Sequence, residues 1–400
     1  MLDSSLVLLI SIAAILILLR IKVHPGFAIF AGSIIISVLV LPLPDIPSLM
    51  LRALIDLPTI QLLVIIASAL ALSSLMEENG LLAKLAAAME SFSPRIAILL
   101  IPAVIGLVPM PGGALVSATA SRGLSHRLRL NPEQSTFINY WFRHLWEFSV
   151  PIYPSIIITS IILSVPIFSV VKILAPMTAA AIVFGAFLAY RILKNSPDLK
   201  RTPTKNIALN IVKASWPILL LITLILSGLD PMIAFPLALA LLAGQQRVKW
   251  PQLKKALKYG LSPKILFLLY AIMLYKAVID SSDTAGTLIT DMQMIGLPAL
   301  IILAVLPFII GFATGFSSAF VGVAIPLLVP FIVSGSGFNG SALLLAYVSG
   351  MMGLFLSPLH LCLILSTEYF KASLAGVYKY LIIPVAVIEL IVILIYYLAN

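Results

Sequence analysis

Apolar runs follow one another along this chain with very little charge inside any of them. They cover 6–19, 27–41, 59–76, 96–121, 135–165, 167–190, 214–229, 231–246, 263–280, 298–333, 341–367 and 377–398. Hydrophobic types make up 61% of the 400 residues and charged types only 10%, too few to coat a water-facing surface. The hydrocarbon core of a bilayer offers no hydrogen-bond partner, so each run must satisfy its own backbone as a helix. The expected fold class is therefore an all-α polytopic membrane protein, with room for about ten spans and no soluble catalytic domain.

The net charge of +10 would suit a nucleic-acid binder if it formed a face. Instead the basic residues fall in short segments between apolar runs, which is the pattern of an orientation signal. Nucleic acid is therefore excluded as a partner, and the lipid bilayer takes its place. The first run reads as a retained span rather than a signal peptide, because Asp3 precedes it while Arg20 and Lys22 follow. The single Cys362 lies in an apolar stretch, so neither a disulfide framework nor a thiolate metal site is expected.

Two regions break the rule of full-length spans. Residues 96–108 are too few to cross alone, and Pro109-Met110-Pro111-Gly112-Gly113 separates them from the short run 114–121. Arg95 stands before this unit; Arg122, Arg127 and Arg129 stand after it. Both ends thus belong on the basic side, which predicts a re-entrant hairpin over 96–121. Residues 298–333 repeat the form around Thr314-Gly315-Phe316-Ser317-Ser318, without Lys or Arg on the flanks 280–291 and 334–340. That hairpin should open to the opposite face. With both hairpins threaded, the two termini fall outside the cell membrane. All 25 Lys and Arg residues except Arg52, Arg143, Lys172 and Lys276 then fall inside.

The halves also correspond. Ile105-Gly106 pairs with Ile310-Gly311, and Glu78 with Asp283, at one common offset; Tyr140 and Pro151 pair with Tyr347 and Pro358 at a slightly larger one. Each half reads as five transmembrane crossings plus one re-entrant hairpin, and an odd number of crossings inverts the second copy. The expected first repeat is 1–190, with a proline-broken helix at 132–165. A polar linker covers 191–206, and the second repeat is 207–400, with its broken helix at 341–367. Two amphipathic pieces, 46–56 and 251–259, are expected to lie along the interface.

Asn131-Pro132-Glu133-Gln134 reads as an N-cap, a first-turn proline and a capping-box partner. The helix then carries Arg143, His144 and Glu147 before Pro151 and Pro154 interrupt it, while Ser357-Pro358 interrupts the second broken helix. Hairpin tips and helix breaks would converge at mid-membrane, where helix N-termini suit an anion and unwound carbonyls a cation. Arg143 at that depth needs a partner. One reading is a structural ion pair with Glu147, four residues on and on the same helix face. The other is binding of solute by Arg143, with His144 and Glu147 coupling an ion. In the second copy the aligned positions, Gly350, Met351 and Leu354, carry no charge. Gly112 and Gly113 would let solute approach the backbone, and Ser317 and Ser318 could hydrogen-bond it. Ser149, Tyr153, Thr314 and Ser357 complete the candidate substrate-binding set. Glu389 is a lone carboxyl in the last span, and His360 and Cys362 read as packing residues. His144-x-x-Glu147 lacks the second His of a zinc-protease helix, so no catalytic group and no metal are expected.

The string Asn139-Tyr140-Trp141-Phe142-Arg143-His144-Leu145-Trp146-Glu147, together with Pro109-Met110-Pro111-Gly112-Gly113 and the architecture, resembles an uncharacterised integral-membrane family. That family is grouped with the ion transporter superfamily of gluconate, citrate, divalent-anion and arsenite permeases. The resemblance covers nearly the whole chain. It implies a homodimer through a scaffold domain and an elevator-type movement of the hairpins and broken helices. Divalent-anion members carry Ser-Asn-Thr at both tips with sodium bound; this chain has neither copy. The expectation is a secondary active transporter, not an enzyme. It would carry a small organic anion with a coupling proton or sodium ion, and hold no cofactor beyond a bound Na+. The alternatives are a cation/proton antiporter without organic substrate and, more remotely, an intramembrane enzyme using His144 and Glu147.

Overall fold

The computed structural model describes residues 4–110, 112–199, 206–294, 296–334 and 337–400. Pro111 of the first tip, 200–205 of the predicted linker and 335–336 after the second hairpin lie outside the described residues. The chain is nearly all helix. It begins with α1 (Ser4–Arg20), α2 (Pro25–Val40), α3 (Asp45–Ile55), α4 (Leu57–Glu78) and α5 (Leu81–Met89). A turn-linked pair follows, α6 (Pro94–Gly106) and α7 (Gly113–Arg127). Next come α8 (Pro132–Arg143), a 3-10 turn at Leu145–Phe148, α9 (Pro154–Leu163) and α10 (Ile167–Leu193). The later part holds α11 (Ile207–Leu226), α12 (Pro231–Gln245), α13 (Trp250–Gly260), α14 (Pro263–Ser282) and α15 (Thr284–Met294). It ends with the turn-linked α16 (Ala299–Thr314) and α17 (Ser317–Ile332), then α18 (Gly340–Phe355), α19 (Leu361–Phe370) and α20 (Leu374–Ala399). Val333–Ser334 and Gly337–Phe338 make a two-residue antiparallel pairing.

Prolines explain many of the starts. α2, α4, α6, α8, α9, α12, α13 and α14 each have Pro in the first helical positions, where the missing N–H is no loss. The predicted capping box is present: the Asn131 side chain accepts the Gln134 N–H at 2.8 Å, and the Gln134 side chain accepts the Asn131 N–H at 3.1 Å. The first turn-linked pair is longer than expected. α7 continues through Ser121 to Arg127, so Arg122 stands on the helix and His126 and Arg127 occupy its last turn. Cations there interact favourably with the negative end of the helix dipole, which lets the helix outrun its apolar run.

Leu57–Glu78, Ile167–Leu193, Ile207–Leu226, Leu374–Ala399 and the stretch Trp250–Ser282, which turns at Leu261–Ser262, are long and apolar enough to cross a membrane. Phe187, Val183, Ile383, Leu390 and Leu394 stand exposed on α10 and α20, an apolar surface that suits lipid and not water. At the other extreme α18 is buried along almost its whole length and α17 nearly so, as helices that are apolar all round must be. Around them α6 packs on α7 and α8, α16 on α17 and α18, α7 on α19, and α9 on α17. A second group joins α1 to α2, α2 to α14, and α4 to α12 and α13. The amphipathic helices bridge neighbouring spans: α3 packs on α14, and α13 on α4, where Lys255 Nζ lies 2.6 Å from Glu78 Oε1.

Candidate functional site

The two turn-linked pairs bring their tips to one cavity. Gly112 (φ 76°) and Gly315 (φ 58°) take the left-handed conformation that the tight turns need. Next to the first tip, α6 approaches α8 so closely at Gly106 that a side chain there would meet the Arg143 carbonyl. Next to the second, α16 approaches α18 at Gly311, where a side chain would meet the Gly350 carbonyl.

The interruption after α8 begins well before the prolines that predicted it. Pro151 and Pro154 withhold backbone donors and disfavour helix in the residues before them. The last turn of α8 is loosened further by His144. Its Nδ1 lies 2.6 Å from the Tyr140 carbonyl, while its own N–H goes back three residues to Trp141. The α-helix therefore stops at Arg143, and the next one starts only at Pro154.

This early stop bears on the first of the two readings of Arg143, the structural ion pair. Arg143 and Glu147 no longer share a helix face, and no carboxylate oxygen lies within 4.0 Å of the guanidinium among the described residues. Arg143 is 3% exposed; its Nη2–H donates to the Met110 carbonyl of the first tip at 3.1 Å, and Nη1 lies 3.7 Å from Cys362 Sγ. Its Nε has no partner. The guanidinium runs across Gly113, where any side chain would displace it. Glu147 instead turns its Oε1 to His144 Nε2 at 3.7 Å, and the Ser317 hydroxyl is directed at the same carboxyl group.

A cavity of about 150 Å³ opens between these groups. Gly112, Arg143, Glu147 and Tyr153 line it from the first half of the chain, and Ser317, Ser318, His360 and Cys362 from the second. Its far wall is apolar: Ile66 and Leu70 on α4, with Ile265, Leu268 and Leu269 on α14. A space of this size takes a molecule about as large as benzene. Two larger hollows, of about 580 and 540 Å³, carry basic groups (Lys84 and Lys213 in one, Arg122 and Lys371 in the other) but no helix break with unwound backbone.

Of the predicted residues, Gly112, Arg143, Glu147, Tyr153, Ser317 and Ser318 thus meet at one cavity, with Gly113 and His144 directly behind. Tyr153 donates its hydroxyl to the Gly106 carbonyl, tying the break to α6. Three candidates face elsewhere. Ser149 pairs with Thr178 of α10 at 2.6 Å, Thr314 donates back to the Gly311 carbonyl at 3.3 Å, and Ser357 Oγ accepts the Leu359 N–H at 3.2 Å. In each a nearby backbone or hydroxyl group claims the short side chain before a solute could.

Other participants were not singled out. Asn139 accepts from Ser117 at 2.7 Å and donates to Ser366 at 2.8 Å and the Ala114 carbonyl at 3.0 Å, joining α7, α8 and α19. An amide inside an aromatic, buried helix was the available signal. Tyr140 donates to the Phe355 carbonyl, and Tyr347 to the Glu147 carbonyl and Ser155. Glu389 is not alone, since Ser349 donates to it at 2.6 Å. His360 and Cys362, read as packing, line the cavity, and their ligand atoms lie with that of His144 within 4.8 Å of one another. No spacing motif could announce that cluster, because the fold assembles it from the two halves of the chain.

No curated protein matches the sequence. The crystal structure of the Alcanivorax borkumensis YdaH transporter, described as revealing an unusual topology, matches with a TM-score of 0.66 over 95% of this chain and 98% of that one. Sequence identity is 12%, so the likeness is one of fold. Residues 2–399 match the family described as Protein of unknown function (DUF401), and the chain belongs to that family.

Proposed function

We propose that this chain is a secondary active transporter of a small organic anion, coupled to protons or sodium and working by elevator-type alternating access. The observation that carries the reading is Arg143, a buried guanidinium at the cavity with no carboxylate partner among the described residues. Such a charge is costly away from water until an anion meets it. Its planar fork fits a carboxylate in two-pronged fashion. α7 and α17 begin at the cavity, beside Gly112 and at Ser317, so the positive ends of their dipoles favour negative charge as well.

The correspondence of the two halves supports an inverted repeat and, with it, the same reading. Both halves run through five helices, a turn-linked pair, an interrupted helix and one long helix. Their contacts are reciprocal: α7 on α19 answers α17 on α9, and Gly106 at Arg143 answers Gly311 at Gly350. Arg143 thus has Gly350 as its counterpart, so the architecture does not itself require the charge. In the elevator reading, the hairpins and interrupted helices carry solute past the apolar wall of α4 and α14. The amphipathic α3 and α13 join the two bodies, and the wall side dimerises. The resemblance to ion transporter superfamily permeases implies that division, and the fold likeness to the YdaH transporter supports transport as such.

His144 and Glu147 are the coupling pair in this scheme, 3.7 Å apart and beside the cavity. The same pair favours a second reading, a cation/proton antiporter that needs no organic solute. Counterflow of labelled carboxylates in proteoliposomes separates the two. Exchange of at least one carboxylate supports anion transport. Sodium-driven proton movement with no exchange in a full carboxylate panel selects the antiporter.

A further inference from the structure

Beside the cavity lies a donor set of which the transport scheme, on which this inference rests, uses only His144 and Glu147. His144 Nε2 and His360 Nε2 face each other at 3.2 Å, and Cys362 Sγ completes a group in which all three ligand atoms lie within 4.8 Å. Glu147 Oε1 lies outside that group of three but stands 3.7 Å from His144 Nε2. Both imidazoles are buried, His144 fully and His360 to 6% exposure.

The tautomers bear on what the pair does. His144 Nδ1 is engaged by the Tyr140 carbonyl at 2.6 Å, which fixes its proton there and leaves Nε2 with a lone pair. Among the described residues no group meets His360 Nδ1 in hydrogen-bond geometry, and the Leu354 carbonyl is the acceptor nearest in effect to the ring. If His360 simply donated its Nε2–H to His144, Nδ1 would be left as a bare acceptor. If the proton sits on Nδ1 instead, two lone pairs face each other across 3.2 Å, an arrangement that a shared proton or a metal ion relieves.

We propose that His144 Nε2, His360 Nε2 and Cys362 Sγ, with the Glu147 carboxylate as fourth donor, bind one divalent transition-metal ion of the Zn(II) or Co(II) class. Tetrahedral coordination with bonds of about 2.0–2.1 Å places two ligand nitrogens about 3.3–3.4 Å apart, close to the separation observed here. Nitrogen and sulfur donors select borderline metals over Mg(II) and Ca(II), which prefer oxygen. On binding, the Cys362 thiol loses its proton to the cavity and the sulfur–metal bond forms. Thiolate and carboxylate together neutralise a dipositive ion, leaving Arg143 beside Cys362 to meet an anion. Metal and coupling proton exclude each other, since both need His144 and Glu147.

The test needs no transport measurement, so its failure and that of the anion reading are distinguishable. Full-length, tag-free protein in detergent is washed with chelator and titrated with Co(II). Cys362 is the only thiol in the chain, so a thiolate-to-Co(II) charge-transfer band can come from this residue alone. The expected result is that band, with the intense visible absorption of tetrahedral cobalt, saturating at one ion per chain and displaced by Zn(II) but not Mg(II). Cys362→Ser should abolish the band. His144→Gln and His360→Gln should each weaken Co(II) binding by about tenfold or more. Absence of the band in folded wild-type protein would overturn the proposal, and no variant has to fold for that outcome. A band of unchanged affinity in both His variants would overturn it too, because the thiol would then bind metal without the imidazoles.

Discussion

Arg143 shows how one helix end redirects a side chain. On a continuous helix it would sit over Glu147; because α8 stops at Arg143, its guanidinium reaches the first tip and lies across Gly113. Arg143→Lys should fold but bind carboxylate at least tenfold more weakly, since the charge survives and the two-pronged geometry does not. Normal solute affinity in a well-folded Arg143→Ala protein would remove Arg143 from the binding site. Glu147→Gln should keep carboxylate exchange and lose proton-driven accumulation, as read by uptake with and without a pH gradient. Because the two residues are not paired, exchanging them should not rescue the melting temperature of either single variant. Rescue would show that an ion pair forms after all.

At the scale of elements, helix contacts here depend on small residues and on polar ties rather than on apolar area, which lipid supplies equally well. Gly106→Val would drive a branched side chain into the Arg143 carbonyl, and overpacking of that kind costs about 1–3 kcal/mol or more. Gly123→Ala in α7 is the control: nothing lies within 4 Å of the added methyl. It should be neutral or stabilising by up to about 1 kcal/mol. Equal losses in thermal unfolding of the two variants would count against the close approach of α6 and α8. Asn139→Ala strips the donor from the buried Ser366 hydroxyl, while Ser117 keeps the Ala114 carbonyl at 3.1 Å, and one such orphan costs about 1–3 kcal/mol. The readout is again the melting temperature in detergent.

At the scale of the molecule, the cavity lies between two groups of helices, polar groups on one side and α4 with α14 on the other. In an elevator those sides slide past each other, so a tether across the cavity should arrest turnover. Leu269→Cys on α14 and Leu361→Cys on α19, joined by a reducible bifunctional thiol reagent, should stop exchange until the tether is cleaved. Continued exchange in fully tethered protein rules out relative movement at that seam. Topology is checked separately in a Cys362→Ser background, used for labelling only. Cysteines placed at Ser93 and Arg129, flanking the first hairpin, should label from the same side of the membrane. Labelling from opposite sides would end the re-entrant reading and the inverted repeat with it.

What the sequence determined by itself is what depends on neighbours along the chain. Apolar runs required helices, prolines marked where many begin, Asn131 and Gln134 capped α8, and glycine marked both tips. Arg143 was legible as well, because a charge inside an apolar run demands an explanation wherever it lands. The tertiary structure alone decided which side chains meet. Pro151 and Pro154 announced a break but not its first residue; His144 and the Tyr140 carbonyl set that, and the Arg143–Glu147 pair was lost with it. Ser149, Thr314 and Ser357 had the right chemistry and the right neighbourhood, yet local acceptors and donors took them. His360 and Cys362 looked like packing because their partner His144 is more than 200 residues away, and no period along a helix encodes a contact between two halves of a chain.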